Sequence, residues 1–214
     1  TIQDIPTISQ AVREVGALLH CDAAQAPCAM DLRGFSDLVD LLSLSSHKMY
    51  GPQGIGALFI LRDLQDRIEP LIYGGGQQRT LRSGTVPVAL CVGMGSAATL
   101  LDSHGGKEQR EALCARRNAF VRRLMSLSWP IIMNGPECQQ RHPGNANMRF
   151  SGFDAHGILS ALQPRLAAST GSACTSGIAE PSHVLRAMGL SGEDAEASIR
   201  FSLGCGTTEA DIEE

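Results

Sequence analysis

Of the 18 basic residues in this 214-residue chain only Lys48 and Lys107 are lysines, so chemistry that needs a primary amine has two candidates. Lys48 ends the run Ser45-Ser46-His47-Lys48, directly after the strand-like residues 39–45 (VDLLSLS). Asp22 stands in the same relation to a second strand-like run, residues 18–22 (LLHCD), within HCDAAQ at 20–25. In a parallel α/β sheet ligands bind beyond the carboxyl ends of the strands, so this spacing delivers a carboxylate and an amine to one crevice. Pyridoxal phosphate uses such a pair, a lysine for its aldehyde and an acid beside its pyridine nitrogen. By position alone, a solvated lysine beside a loop is the competing reading of Lys48.

Three further groups could join that chemistry. Residues 74–85 (GGGQQRTLRSGT) combine glycines that let backbone amides approach an anion with Arg79, Arg82, Ser83 and Thr85, a composition that suits a phosphate and also occurs in ordinary glycine-rich turns. Residues 169–176 (STGSACTS) surround Cys174 with small polar side chains. Such a setting favours an exposed thiol that can act as a nucleophile. Arg200 sits between apolar residues in SIRFSL (198–203) and needs an anion if buried. A substrate carboxylate and a structural salt bridge satisfy it equally well.

The elements that must position these groups alternate. An amphipathic helix is expected over 7–18, capped by Thr7, with Ile8, Ala11, Val12, Val15 and Leu18 on one face. Apolar strands follow at 18–22, 39–45 and 56–61, the pattern of an α/β sheet covered on both faces. Residues 87–101 form an apolar helix, Gly105 and Gly106 break it, and 107–127 form a charged amphipathic one. Short strands at 131–134, 146–151, 166–170 and 198–203 then alternate with helices at 154–162 and 181–188, a smaller α+β unit. A capping Thr followed by carboxylates starts a last helix in 207–214 (TTEADIEE).

Composition narrows the function classes. A formal charge of −4 and 43% hydrophobic residues describe a globular chain without the basic surface of a nucleic-acid or acidic-membrane binder. No apolar run is long enough to span a bilayer. Seven irregularly spaced cysteines, with no Cys-x-x-Cys pair, speak against a disulfide framework or a zinc site and for a reducing compartment. The expected location is the cytoplasm, or an organelle of similar redox state.

Six segments in order, HCDAAQ (20–25), SLSSHKMYGPQGIGALFI (43–60), YGGGQQRTLRSGTVP (73–87), STGSACTSG (169–177), EPSHVLRAMGL (180–190) and SIRFSLG (198–204), resemble the cysteine desulfurases of NifS/IscS type. These are pyridoxal-phosphate enzymes of the class V aminotransferase family. The resemblance implies fold type I, with part of a large domain on a mostly parallel sheet at 1–104 and a small α+β domain at 105–214. It implies that Lys48 forms the Schiff base, Asp22 pairs with the pyridine nitrogen and Gln25 bonds the ring hydroxyl. Ser45 and His47 would contact the phosphate, and Thr85 the phosphate of the neighbouring subunit in a homodimer. Arg200 would hold the carboxylate of L-cysteine. Cys174 would attack the substrate sulfur, leaving a persulfide and releasing alanine. It would pass that sulfur to an acceptor such as an iron–sulfur scaffold or a tRNA-thiolation carrier, and could transiently ligate a cluster. No resident metal is implied.

By the same resemblance the chain is a C-terminal portion. The glycine/threonine phosphate turn, the histidine that stacks on the cofactor and an asparagine near its hydroxyl precede it in family members, and the last helix continues beyond Glu214. Two alternatives accompany the desulfurase reading. One is a selenocysteine lyase or another class V aminotransferase, and the other is a catalytically incomplete piece that only dimerises or binds a scaffold.

Overall fold

The computed structural model describes residues 1–170 and 181–214. The chain divides into two compact units, residues 3–108 and residues 1–2 with 109–214.

The first unit opens with helix α1 (Ile5–Glu14), capped by Asp4 rather than Thr7: the Asp4 carboxylate accepts from the Thr7 amide at 3.2 Å and from its hydroxyl at 2.7 Å. Gly16, at φ 68°, follows the helix end, so Val15 and Leu18 fall outside it. The side that packs is Ile5 and Ser9, whose hydroxyl donates to the Leu38 carbonyl at 2.5 Å, while Ile8, Val15 and Leu18 stay exposed.

Strand β1 (His20–Asp22) pairs in parallel with β2 (Leu41–Ser45), and β2 pairs antiparallel with β3 (Gly56–Ile60). The sheet is therefore mixed where a mostly parallel one is expected. The β2–β3 connection explains it, because residues 46–55 are too few for the crossover of a dozen or more residues that a parallel return requires. Cys21, Leu42, Leu44 and Phe59 share one face and pack on Phe35 and Val39. The opposite face carries His20, Asp22, Ser43, Ser45 and Leu58, and there His20, Asp22 and Leu58 are exposed, so among the described residues of this unit only one face is well covered.

Helix α2 (Val88–Asp102) contributes Met94 and Leu101 to a second cluster with Cys28 and Met49. Gly93 lets it lie against the β2–β3 connection, since a Cβ there would stand 3.0 Å from the Pro52 ring. The break after α2 falls at Ser103 instead of at Gly105 and Gly106, which lie inside α3 (His104–Met125). The Ser103 hydroxyl accepts the Gly106 N–H at 3.2 Å and so starts the new helix.

In the second unit β4 (Ile131–Met133), β5 (Asn145–Phe150) and β6 (Ser198–Ser202) form an antiparallel sheet in that order. Ala146, Met148, Ile199 and Phe201 line its apolar face, against Phe120, Val121 and Leu124 of α3 and Ala155 and Ile158 of α4 (Ala155–Leu162). The Phe120 and Phe201 rings meet edge to face, with centroids 4.9 Å apart. Of the strand expected over 166–170 a single bridge remains, Ser169 to Arg200. Short helices α5 (His183–Ala187), α6 (Gly192–Glu196) and α7 (Glu209–Glu213) complete the unit, and Thr208 and Asp211 form a reciprocal capping box on α7. Among the described residues no helix is long and apolar enough to cross a membrane.

Candidate active site

The parallel β1–β2 pair sets the geometry. Its register aligns Asp22 with Ser43, so Asp22 and Ser45 mark the carboxyl ends of neighbouring strands at one edge of the sheet. Period-two alternation then puts His20, Asp22, Ser43 and Ser45 on the same face. A hydrogen bond of 2.7 Å joins His20 Nε2 and Ser43 Oγ across the strands, directly beside the Asp22 position.

Beyond each strand the chain turns at once. Asp22 accepts the Ala24 N–H at 3.0 Å, which fixes one carboxylate oxygen and starts the turn that carries Gln25, exposed like Asp22 itself. After Ser45 a 3₁₀ turn (Ser46–Met49) holds His47 and Lys48 with both side chains exposed. The Ser45 hydroxyl and His47 Nδ1 lie 3.1 Å apart, a ready pair for an anion. The turn closes through Tyr50 at φ 65° and the Gly51 N–H on the Ser46 carbonyl, 3.0 Å. A side chain at Gly51 would collide, its Cβ falling 2.3 Å from Ser46 Oγ. Burial first and the Asp22 charge second push the neighbouring Cys21 thiol up, which keeps it protonated and a poor nucleophile.

The glycine-rich segment is held by its own polar groups. Ser83 donates to the Ile72 carbonyl at 3.0 Å, the Gly84 N–H to Gln77 Oε1 at 3.1 Å, and Arg79 to Gln65 Oε1 at 2.8 Å. Gln78, Arg79 and Thr80 have φ of 48°, 58° and 64°, a left-handed run that is costly for a β-branched threonine. Thr85, at the end of the segment, is exposed.

Asp22, Ser45, His47 and Lys48 thus meet at one sheet edge, with Gln25 on the adjoining turn. Arg200 belongs to the second unit, on β6, opposite Asn147 and bridged to Ser169 on its other side. Its backbone N–H donates to the Ser169 carbonyl at 2.6 Å. Cys174 lies outside the described residues. Sequence reasoning missed the His20–Ser43 pair and the Cys28 thiol, which donates to the Lys48 carbonyl at 3.2 Å. Strand alternation could have found the first. Nothing in the sequence signals the second, since it joins two turns. Among the described residues no three His, Cys, Asp or Glu side chains converge as a metal site.

Comparison with known proteins places this geometry in context. The family model for aminotransferase class-V matches residues 1–214. The chain is 40% identical over 214 residues to the cysteine desulfurase IscS of Rickettsia africae, covering 99% of this chain and 51% of that protein. It is 43% identical over 212 residues to the IscS of Vibrio campbellii, covering 99% and 52%. Among solved structures, a NifS-like protein from Rickettsia africae superposes with a TM-score of 0.84 at 28% identity, covering 99% of this chain and 55% of that one. DndA from Streptomyces lividans superposes at 0.70 with 34% identity, covering 94% and 56%. The chain spans about half the length of the curated relatives it matches.

Proposed function

Because the chain belongs to the aminotransferase class-V family, we propose that it is the part of a cysteine desulfurase that carries the lysine, the nucleophilic thiol and the substrate arginine. The observation that carries this reading is the meeting of Asp22, the Ser45–His47 pair and Lys48 at the carboxyl ends of β1 and β2. That donor set fits pyridoxal phosphate: an anion for a protonated ring nitrogen, a hydroxyl–imidazole pair for a phosphate and an amine for an aldehyde. When bound, the cofactor supplies an electron sink for the substrate Cα.

In this reading Lys48 holds the cofactor and Asp22 keeps its ring nitrogen protonated. Gln25 bonds the ring hydroxyl. Thr85 reaches the phosphate in the partner copy of a homodimer. Arg200 takes the carboxylate of L-cysteine as a bidentate pair. The Cys174 thiolate attacks the substrate sulfur, so that an S–S bond forms as the C–S bond breaks. The electron pair left on carbon is protonated to give alanine, and no outside oxidant is needed. The persulfide then passes to a thiol acceptor, for which an iron–sulfur scaffold or a tRNA-thiolation carrier has suitable chemistry.

Reconstituting the chain with pyridoxal phosphate and supplying L-cysteine with a reductant tests this. Alanine and sulfide appear in equal amounts, Lys48→Ala abolishes both, and Cys174→Ser abolishes sulfide. Full sulfide release by Cys174→Ser overturns the assignment of the nucleophile. Cofactor capture without alanine would favour a dimerising or scaffold-binding role for this chain.

A further inference from the structure

We propose that the Cys28 thiol is a positioning residue for Lys48, tying the turn that follows Asp22 to the turn that carries the amine; the inference rests on the assignment of Lys48 given above. Cys28 is buried at 6% exposure, and its Sγ donates to the Lys48 carbonyl at 3.2 Å across 20 positions of sequence. The two turns leave adjacent parallel strands, one after Asp22 and the other after Ser45. Each is internally braced. Ala26 N–H donates to the Ala23 carbonyl at 2.9 Å and Ala29 N–H to that of Ala26 at 2.8 Å, while Ser46 N–H reaches the Ile55 carbonyl at 3.2 Å.

Strand hydrogen bonds fix where the turns begin, and the thiol adds a link between them farther out. Its surroundings make the link matter. Cys28 shares its cluster with Met49, Leu101 and Met94, so the thiol that donates to the Lys48 carbonyl stands among apolar side chains. A part-buried carbonyl that loses a donor gains by turning toward another partner, and the inexpensive way is rotation of the peptide plane. Rotating the Lys48 peptide re-aims the Lys48 side chain, which projects outward from the same residue.

The two lysines supply an internal control. The full chain is incubated with pyridoxal phosphate, reduced with borohydride, and digested, and the labelling rates of Lys48 and Lys107 are compared by peptide mass. The wild-type chain labels Lys48 faster than Lys107. In Cys28→Ala the ratio falls by about threefold, the size expected for one net hydrogen bond, with the melting temperature nearly unchanged. Cys28→Ser, which keeps a donor, restores the ratio. If Cys28→Ala folds poorly, Cys28→Val keeps the volume without the donor and gives the same fall. A wild-type ratio in a folded Ala or Val variant overturns the proposal while leaving the cofactor assignment standing. Equal labelling of the two lysines in the wild-type chain overturns that assignment, and the role of the tie with it.

Discussion

Ser46 lies between Ser45 and His47 at 0% exposure, and among the described residues its Oγ has no hydrogen-bond partner. Burying a hydroxyl unpaired costs about 1–3 kcal/mol, so Ser46→Ala should raise the urea midpoint by an amount worth about 1 kcal/mol; a lower midpoint would show that the hydroxyl has a partner in solution. The same atom blocks Gly51, where a Cβ would fall 2.3 Å from Ser46 Oγ but 3.1 Å from the Ser46 carbonyl oxygen and 3.4 Å from Ala97. Gly51→Ala is therefore strongly destabilising alone and markedly less so on the Ser46→Ala background, a coupling that a double-mutant cycle on urea unfolding measures. A second residue sets a pH dependence. Burial first, with the Arg117 charge adding to it, holds His142 below its ordinary value, and its Nδ1 accepts the Gly144 N–H at 3.1 Å. With a folded pKa below the unfolded one, the unfolded chain binds the extra proton, so His142 contributes stability that is present above about pH 6.5 and is lost on acidification. His142→Asn should flatten the fall in urea midpoint between about pH 6.5 and pH 5, and an unchanged slope counts against this account.

At the scale of elements, the strands were the most legible part of the sequence, because short apolar runs bounded by Gly, Ser and Pro leave little freedom. β2 and β3 are found within two residues of their expected ends. The helix ends were less legible, since side-chain caps decide them. Asp4 takes the N-cap expected at Thr7, and Ser103 starts α3 ahead of two glycines that look like breakers. The strand expected at 166–170 shrinks to one bridge because, among the described residues, only Ser169 finds a partner, Arg200. Caps of this kind can be tested one helix at a time. Asp154 accepts the His156 and Gly157 amides at 3.0 Å each, and it starts the helix that covers Ala146 and Met148. Asp154→Ala should cost about 1 kcal/mol by urea unfolding, and Asp154→Asn or Asp154→Ser should recover most of it. Equal losses in all three would mean that Asp154 acts by its charge and not as a cap.

For the whole molecule, the placement of the candidate residues was legible where it depends on strand ends and illegible where it depends on contact between distant turns. Asp22 and Lys48 follow from the rule for parallel strands, whereas the donation from Cys28 to Lys48 needs the two turns folded against each other. At this scale several apolar side chains stay uncovered: Leu71 is 97% exposed, Tyr73 74%, Val92 63% and Leu100 70%. Leu71, Ile72 and Tyr73 are consecutive and exposed, and they lead into the glycine-rich segment with its costly left-handed residues. In the homodimer proposed above this segment would reach the partner copy, which would cover the apolar residues and give Thr85 its proposed contact. Sedimentation velocity at micromolar concentration should then show a dimer. Replacing Leu71 and Tyr73 together by Ser should weaken it by at least about tenfold, since buried aromatic anchors carry much of an interface, without lowering the melting temperature of the monomer. A chain that sediments as a monomer at every concentration, with or without pyridoxal phosphate, would leave the exposed segment without its partner and remove Thr85 from the site.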